Sequence, residues 1–235
     1  MKRIPARELL DDDAGTAREV AGSLADIDLL NRRCGGVSTT ARLVQRVAGV
    51  TGQRQFSMLD VATGSGNTVR GVRARLARRG IQLRLTLLDR QASHFSPRHD
   101  EEQVVGDALA LPFRDGSFDL IASCLFAHHL GPADVASFVR EALRCARVAV
   151  LINDLIRHPV PWAAAHAGRL IYRSRLTRFD APASVLQAYT PQEMQSLLEP
   201  IGAARTEVTR HYFYRMGVIV WKDRAILNGA SARHA

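Results

Sequence analysis

Apolar and polar positions along this chain follow two periods in turn. Val20, Leu24, Ile27 and Leu30 recur at helical spacing. They follow Thr16-Ala17-Arg18-Glu19, a capping box in which threonine and glutamate each serve the other's backbone N–H. The spacing predicts a helix to Arg33, stopped by Gly35-Gly36, and a second helix over Thr39–Val47. Met58-Leu59-Asp60-Val61 then ends a buried strand, Ala62–Gly66 makes a tight turn, and a helix starts near Asn67 with Val69, Val72 and Leu76 on one face. Further apolar strands are predicted at 81–88, 103–105, 119–123 and 148–152, with a helix from Pro132 between the last two. After a mixed helix–loop–helix stretch, Thr190-Pro191-Gln192-Glu193 opens another helix, and strands at 204–210 and 213–221 close the pattern. Strands and helices in alternation predict an α/β fold: a seven-stranded, mostly parallel sheet with helices on both faces.

Length permits one domain over 1–235, with residues 1–50 as an N-terminal helical cap and 153–189 as a helical lid inserted after the fifth strand. The N-terminal helices cover the ligand crevice or pack on the sheet edge; the pattern leaves both open. No apolar run is long enough for a membrane span, and MKRIPARELLDDD lacks the apolar stretch of a secretory signal. Cys34, Cys124 and Cys145 show no metal-ligand spacing, so a reduced, cytoplasmic chain without a metal site is expected. The net charge of +9 raises the question of a nucleic-acid partner. Almost all the cations are arginine, however, and Arg70, Arg73, Arg75, Arg78 and Arg79 read as the solvated face of one helix. The tail from Asn228 is expected to be disordered.

The chemistry starts at the turn after the first strand. Glycines there let the backbone approach a ligand, and the following helix offers free N–H groups. Asp60 and Asp89 end the first two strands, and an acid at the second position accepts both hydroxyls of a ribose. NAD, FAD and S-adenosylmethionine sites all share these features. LDVATGSGN, LLDR, GDALALPFRDGSFDLIAS and the following HHL, in this order, make the chain resemble the class I S-adenosylmethionine-dependent methyltransferases, most closely the small-molecule branch that includes quinone-biosynthesis and natural-product enzymes. The resemblance covers roughly residues 56–152. It departs at Ala62, where the family usually has glycine.

The resemblance implies a Rossmann-like fold, S-adenosyl-L-methionine as cofactor and S-adenosyl-L-homocysteine as product. It implies that Asp60 and the backbone of Ala62, Thr63, Gly64 and Gly66 hold the methionine part. Asp89 would take the ribose hydroxyls, Arg90 would lie beside the adenine, Gly106, Asp107 and Ala108 would reach its amino group and ring, and Ser123 would sit near the sulfonium. Asp107 also reads as a turn former. His128 and His129 follow the fourth strand at the sheet's ligand-binding edge, where a histidine takes a proton from an acceptor near neutral pH or closes the loop through backbone hydrogen bonds. Arg157, His158, Tyr172 and Tyr189 are candidate acceptor contacts in the lid. Arginines there also suit ion pairs with Asp154 and Asp180.

The leading expectation is methyl transfer to a small-molecule acceptor, on the oxygen of an aromatic or polyketide-like hydroxyl. Alternatives are C-methylation of a quinol-type ring, an RNA methyltransferase, and a cofactor-binding protein without transfer activity. SCLFAHH after the fourth strand lacks the Asn/Asp-Pro-Pro-aromatic motif of base N-methylation, which makes nucleic acid an unfavoured partner. The last two strands leave room for a homodimer.

Overall fold

The computed structural model describes residues 1–96, 100–223 and 225. The expected disorder of the tail from Asn228 falls outside them. Helices α1 (Ala17–Arg33) and α2 (Gly36–Thr51) lead into β1 (Gln55–Val61), α3 (Asn67–Ala77), β2 (Gln82–Asp89), β3 (Glu102–Val105) and β4 (Phe118–Cys124). There follow α4 (Pro132–Cys145), β5 (Ala146–Leu155), α5 (Pro159–Gly168), α6 (Arg175–Gln187), α7 (Pro191–Leu198), β6 (Arg205–His211) and β7 (Arg215–Trp221). The sheet runs β3-β2-β1-β4-β5-β7-β6. Strands β1 to β5 are parallel, and β7 is antiparallel to both β5 and β6. The last two strands thus complete the chain's own sheet, and β6 forms one of its edges.

Side-chain alternation along each strand feeds two cores. Phe56 and Met58 of β1 pack with Val44 and Val47 of α2 and with Val69, Val72 and Leu76 of α3. Leu59 and Val61 face the other way, onto Val135, Phe138 and Val139 of α4 and Met194 and Leu198 of α7. Every parallel strand points its carboxyl end to the same edge. Asp60, Asp89 and Asp154 therefore stand together there, at or near the ends of β1, β2 and β5.

Three expectations need correction. First, β5 continues to Leu155, because Asn153, Asp154 and Leu155 pair with Gly217, Met216 and Arg215 of β7. The lid therefore starts after Leu155, and Asp154 belongs to the sheet. Second, Arg70 is not part of a solvated face. Its side chain is 12% exposed and binds Glu101, whose other oxygen holds Arg73. Third, Asp180 has no arginine partner among the described residues; it accepts the backbone N–H groups of Leu9 and Leu10, while Arg178 donates to the Tyr172 carbonyl.

Phe138 is fully buried and meets Phe126 edge to face at 5.3 Å. Phe138→Ala should lower unfolding free energy by about 3–5 kcal/mol, the cost of a large aromatic cavity, measured by urea denaturation.

Candidate active site

A cavity of about 910 Å³ opens at the carboxyl edge of the sheet. Its floor is the strand ends and the turns after them: Asp60, Ala62–Ser65, Leu88–Gln91, Gly106–Leu109 and Cys124–Phe126. Its far walls are the inner face of α1 (Leu24, Ile27, Leu30), the lid (Val160, Ala164, Ile171, Tyr172) and the β6–β7 turn (Phe213, Tyr214). Helix α1 thus covers the crevice, while α2 packs on the face of the sheet. Asp28 of α1 fixes the turn after β1 by accepting from Ser65 Oγ at 2.9 Å and Asn67 Nδ2 at 2.6 Å.

Backbone strain gathers at this cavity. Five non-glycine residues have positive φ among the described residues, and four of them line it: Ala62 (55°), Leu125 (59°), Phe213 (58°) and Tyr214 (54°). Such geometry is costly for residues with a Cβ and concentrates at functional sites. At Gly66 (φ 74°) a Cβ would lie 2.8 Å from Leu87 Cδ1, so glycine is required there.

The two nearest acids differ in state. Burial raises the Asp89 carboxyl, but His94 and the N–H groups of Gln91 and Gly64 outweigh that and hold it below the usual carboxylate range. Gly64 N–H donates to Asp89 Oδ2 at 2.8 Å. Asp60 is pushed up to about 7 by burial, with Asp89's charge adding, and the Thr63 hydroxyl at 2.6 Å offsets only part. Asp60 forms no ion pair among the described residues. A dry carboxylate without a cation is a ready partner for an ammonium group.

Sequence comparison matches residues 59–150 to the family described as a methyltransferase domain. The match spans the central unit from β1 into β5. Solved structures share its fold at low identity. A plantazolicin methyltransferase, BpumL, with a monoazolic desmethylPZN analogue and S-adenosylhomocysteine superposes with a TM-score of 0.65 at 11% identity, over 88% of this chain and 90% of that one. Human N-acetylserotonin methyltransferase gives 0.60 at 16%, over 93% and 60%. A methyltransferase from Aquifex aeolicus gives 0.52 at 16%, over 77% and 88%. S-Adenosylmethionine fits the groups present: its amino group supplies the cation that Asp60 lacks, and the exposed edge of Asp89 faces the same space.

Of the sequence-predicted residues, the fold places Asp60, Ala62, Thr63, Gly64, Asp89, Arg90, Gly106, Asp107, Ala108, His128, His129 and Tyr172 on the cavity wall. Asp107 is also the turn former the sequence allowed, since its Oδ1 accepts the Leu109 N–H. Several placements fail. Ser123 is turned into the sheet, its hydroxyl buried without a partner; Cys124 and Leu125 face the cavity in its place. Gly66 lies behind the turn as the cap of α3. Arg157 is structural, binding the Met1 and Ala188 carbonyls and Glu193. His158 caps α5 through Nδ1 and stacks on Tyr214, outside the main cavity. Tyr189 donates to the Leu130 carbonyl under the Arg3 guanidinium.

The histidines are held by carboxylates. His128 Nδ1 meets Asp154 Oδ1 at 2.6 Å, and its backbone N–H donates to Asp154 Oδ2 at 3.0 Å. Burial opposes protonation, but Asp154 and then Glu8 reverse that and push His128 up to about 10. A histidine that keeps its proton at neutral pH is no free base, which corrects the expectation for His128. His129 Nδ1 bonds Asp11 at 2.8 Å, and its ring is partly exposed to the cavity. Glu8 and Asp11 escaped sequence reading because RELLDDD has no periodicity or motif. Asp154 carried a readable signal, an acid closing an apolar strand like Asp60 and Asp89. Among the described residues no helix is long and apolar enough to cross a membrane.

Two predictions follow from Asp60 and Ala62. Burial raises Asp60 from 3.8 to about 7, so the cofactor-free fold gains stability from it at low pH and loses that gain as pH rises through about 7. An ammonium ligand needs the charged form. Affinity for S-adenosylmethionine should therefore fall as pH drops below about 7, approaching about tenfold per unit, and Asp60→Asn should flatten the profile; calorimetric titration from acid to neutral pH measures both. Ala62→Gly should raise stability by about 0.5–1 kcal/mol, the left-handed strain relieved less the entropy glycine adds to the unfolded chain, read by thermal unfolding.

Proposed function

We propose that the protein transfers the methyl group of S-adenosylmethionine to a hydroxyl oxygen of a small, largely apolar acceptor, aromatic or polyketide-like. The observation that carries this reading is one imidazole, His129, standing beside a chamber walled by Leu24, Ile27, Leu30, Ile171 and Phe213. Cofactor sites of this kind occupy a few hundred Å³. A cavity of about 910 Å³ is large enough to admit a second molecule beside the cofactor. The human neighbour is named for a small acceptor, N-acetylserotonin, and the plantazolicin enzyme was captured with an azolic analogue.

In this reading Asp60 binds the methionyl ammonium, and the turn from Ala62 to Gly64 borders the carboxylate end. Asp89 accepts both ribose hydroxyls, Asp107 and Ala108 border the adenine, and Arg90 lies at its exposed side. The bound cofactor supplies an electrophilic methyl on a sulfonium. The protein's work is alignment, exclusion of water and removal of one proton. The α1 face and the lid close the chamber. His129 Nδ1 is tied to Asp11, which leaves Nε2 to receive the hydroxyl proton. His128, Asp154 and Arg3 set the loop: Arg3 donates to the His128 and Leu130 carbonyls at 3.0 and 2.9 Å.

At the tip of the lid Arg169 and Arg173 flank Leu170 and Ile171, which are 89% and 81% exposed. Such a mixed border suits an amphiphilic acceptor better than nucleic acid.

His129→Ala should lower kcat for methylation of a phenol or quinol panel by about 10²–10⁴-fold, the contribution of a positioned base. Its affinity for S-adenosylmethionine should stay within about twofold. Transfer of labelled methyl measures the first and calorimetry the second. Unchanged kcat, or transfer only to ring carbon, would sink the reading.

A further inference from the structure

We propose that Glu8, His128 and His129 form a binding site for one divalent transition-metal ion of the zinc type, set into the inner wall of the acceptor chamber. One donor atom from each residue lies within 4.8 Å of the other two. His128 Nε2 is 3.5 Å from Glu8 Oε1, and His129 Nε2 is 3.9 Å from Glu8 Oε2. Both separations are long for an N–H···O hydrogen bond. Around a tetrahedral ion with bonds of about 2.0–2.2 Å, donor atoms stand about 3.3–3.6 Å apart, close to both separations from Glu8.

The surroundings are those of a ligand set. Each histidine has committed its other nitrogen to a carboxylate, His128 Nδ1 to Asp154 at 2.6 Å and His129 Nδ1 to Asp11 at 2.8 Å. That arrangement keeps the proton on Nδ1 and turns Nε2 toward the site, and a metal binding there displaces the second proton of His128. Glu8 Oε1 is oriented by Ser184 Oγ at 2.6 Å and Gln187 Nε2 at 2.5 Å, and Oε2 accepts no hydrogen bond among the described residues. Charge points the same way. Three carboxylates, Glu8, Asp11 and Asp154, bracket two imidazoles, and Asp180 lies beside them on the Leu9 and Leu10 N–H groups. The Arg3 guanidinium bonds backbone carbonyls, not these acids. A dication offsets the remaining negative charge.

Two imidazoles and one carboxylate suit zinc and its neighbours better than magnesium or calcium. All three residues line the cavity, so the fourth coordination position faces the chamber. The site's role there rests on the oxygen-methylation reading; its existence does not. With the ion in place His129 Nε2 is a ligand and no longer the base, and an acceptor hydroxyl bound at the open position would be acidified by the metal and give its proton to solvent. The oxygen–methyl bond then forms as the sulfur–methyl bond breaks, and the electron pair stays on sulfur.

The test uses the full chain without an affinity tag, stripped with a chelator. It is titrated with Zn2+ by calorimetry and with Co2+ by visible absorption. We expect one equivalent bound and the intense spectrum of four-coordinate cobalt. His129→Ala and Glu8→Gln should each weaken Zn2+ binding by at least about tenfold, while S-adenosylmethionine affinity within about twofold of the parent shows both variants folded. Binding well below one equivalent, or affinity untouched by both substitutions, would overturn the proposal. One equivalent bound at this site with no oxygen methylation would keep the metal site and refute the function proposed above.

Discussion

Acids at the ends of parallel strands are the constraint on which this molecule depends. A parallel sheet sends every strand's carboxyl end to one edge, so Asp60, Asp89 and Asp154 meet where water is largely excluded. Dry carboxylates need partners, and each finds a different one. Asp89 is satisfied by backbone N–H groups and His94. Asp154 is satisfied by His128, which it holds charged. Asp60 has little besides Thr63 and is left half-protonated near neutral pH. The least satisfied acid is the one that the proposed function assigns to the cofactor's ammonium group.

The segments outside the central unit serve that edge. Residues 8–13 run across its mouth, giving Glu8 and Asp11 to the histidines and Asp13 to His94. Asp180 of α6 anchors this strap by two backbone N–H groups, and Asp26 of α1 accepts the N–H groups of Arg173 and Ser174 in the lid. Strap, α1 and lid are thus tied to one another by buried carboxylates, not by a broad apolar core; the cluster joining them holds only Leu10, Val20 and Leu176 as buried members. Polar ties of this kind release more readily than a packed core, which suits elements that admit a substrate and then close over it. Leu125, Phe213 and Tyr214, all strained, sit at the seam between the rigid sheet and this cover.

The sequence by itself determined the sheet, its helices and the edge where the cavity opens. Periodicity is local, and so are the signals that end elements. Thr16–Glu19 and Thr190–Glu193 are both capping boxes, and the glycine-rich turn carries α3 after β1. Asp60 and Asp89 were legible because an acid that closes an apolar strand has its place fixed by that strand. The tertiary structure decided what depends on partners distant along the chain. Glu8 meets His128 across 120 positions, and β5 outran its apolar core because β7 pairs with its last three residues. Ser123 pointed away from the cavity because side chains alternate along a strand, so one residue's difference in register exchanges Ser123 for Cys124. Arg157, Tyr189 and His158 were polar residues in a lid of unknown path, and only the folded path shows them holding the lid instead of lining the chamber. Local pattern is written in neighbouring residues; contacts that close a site are made by the fold, and no spacing along the chain encodes them.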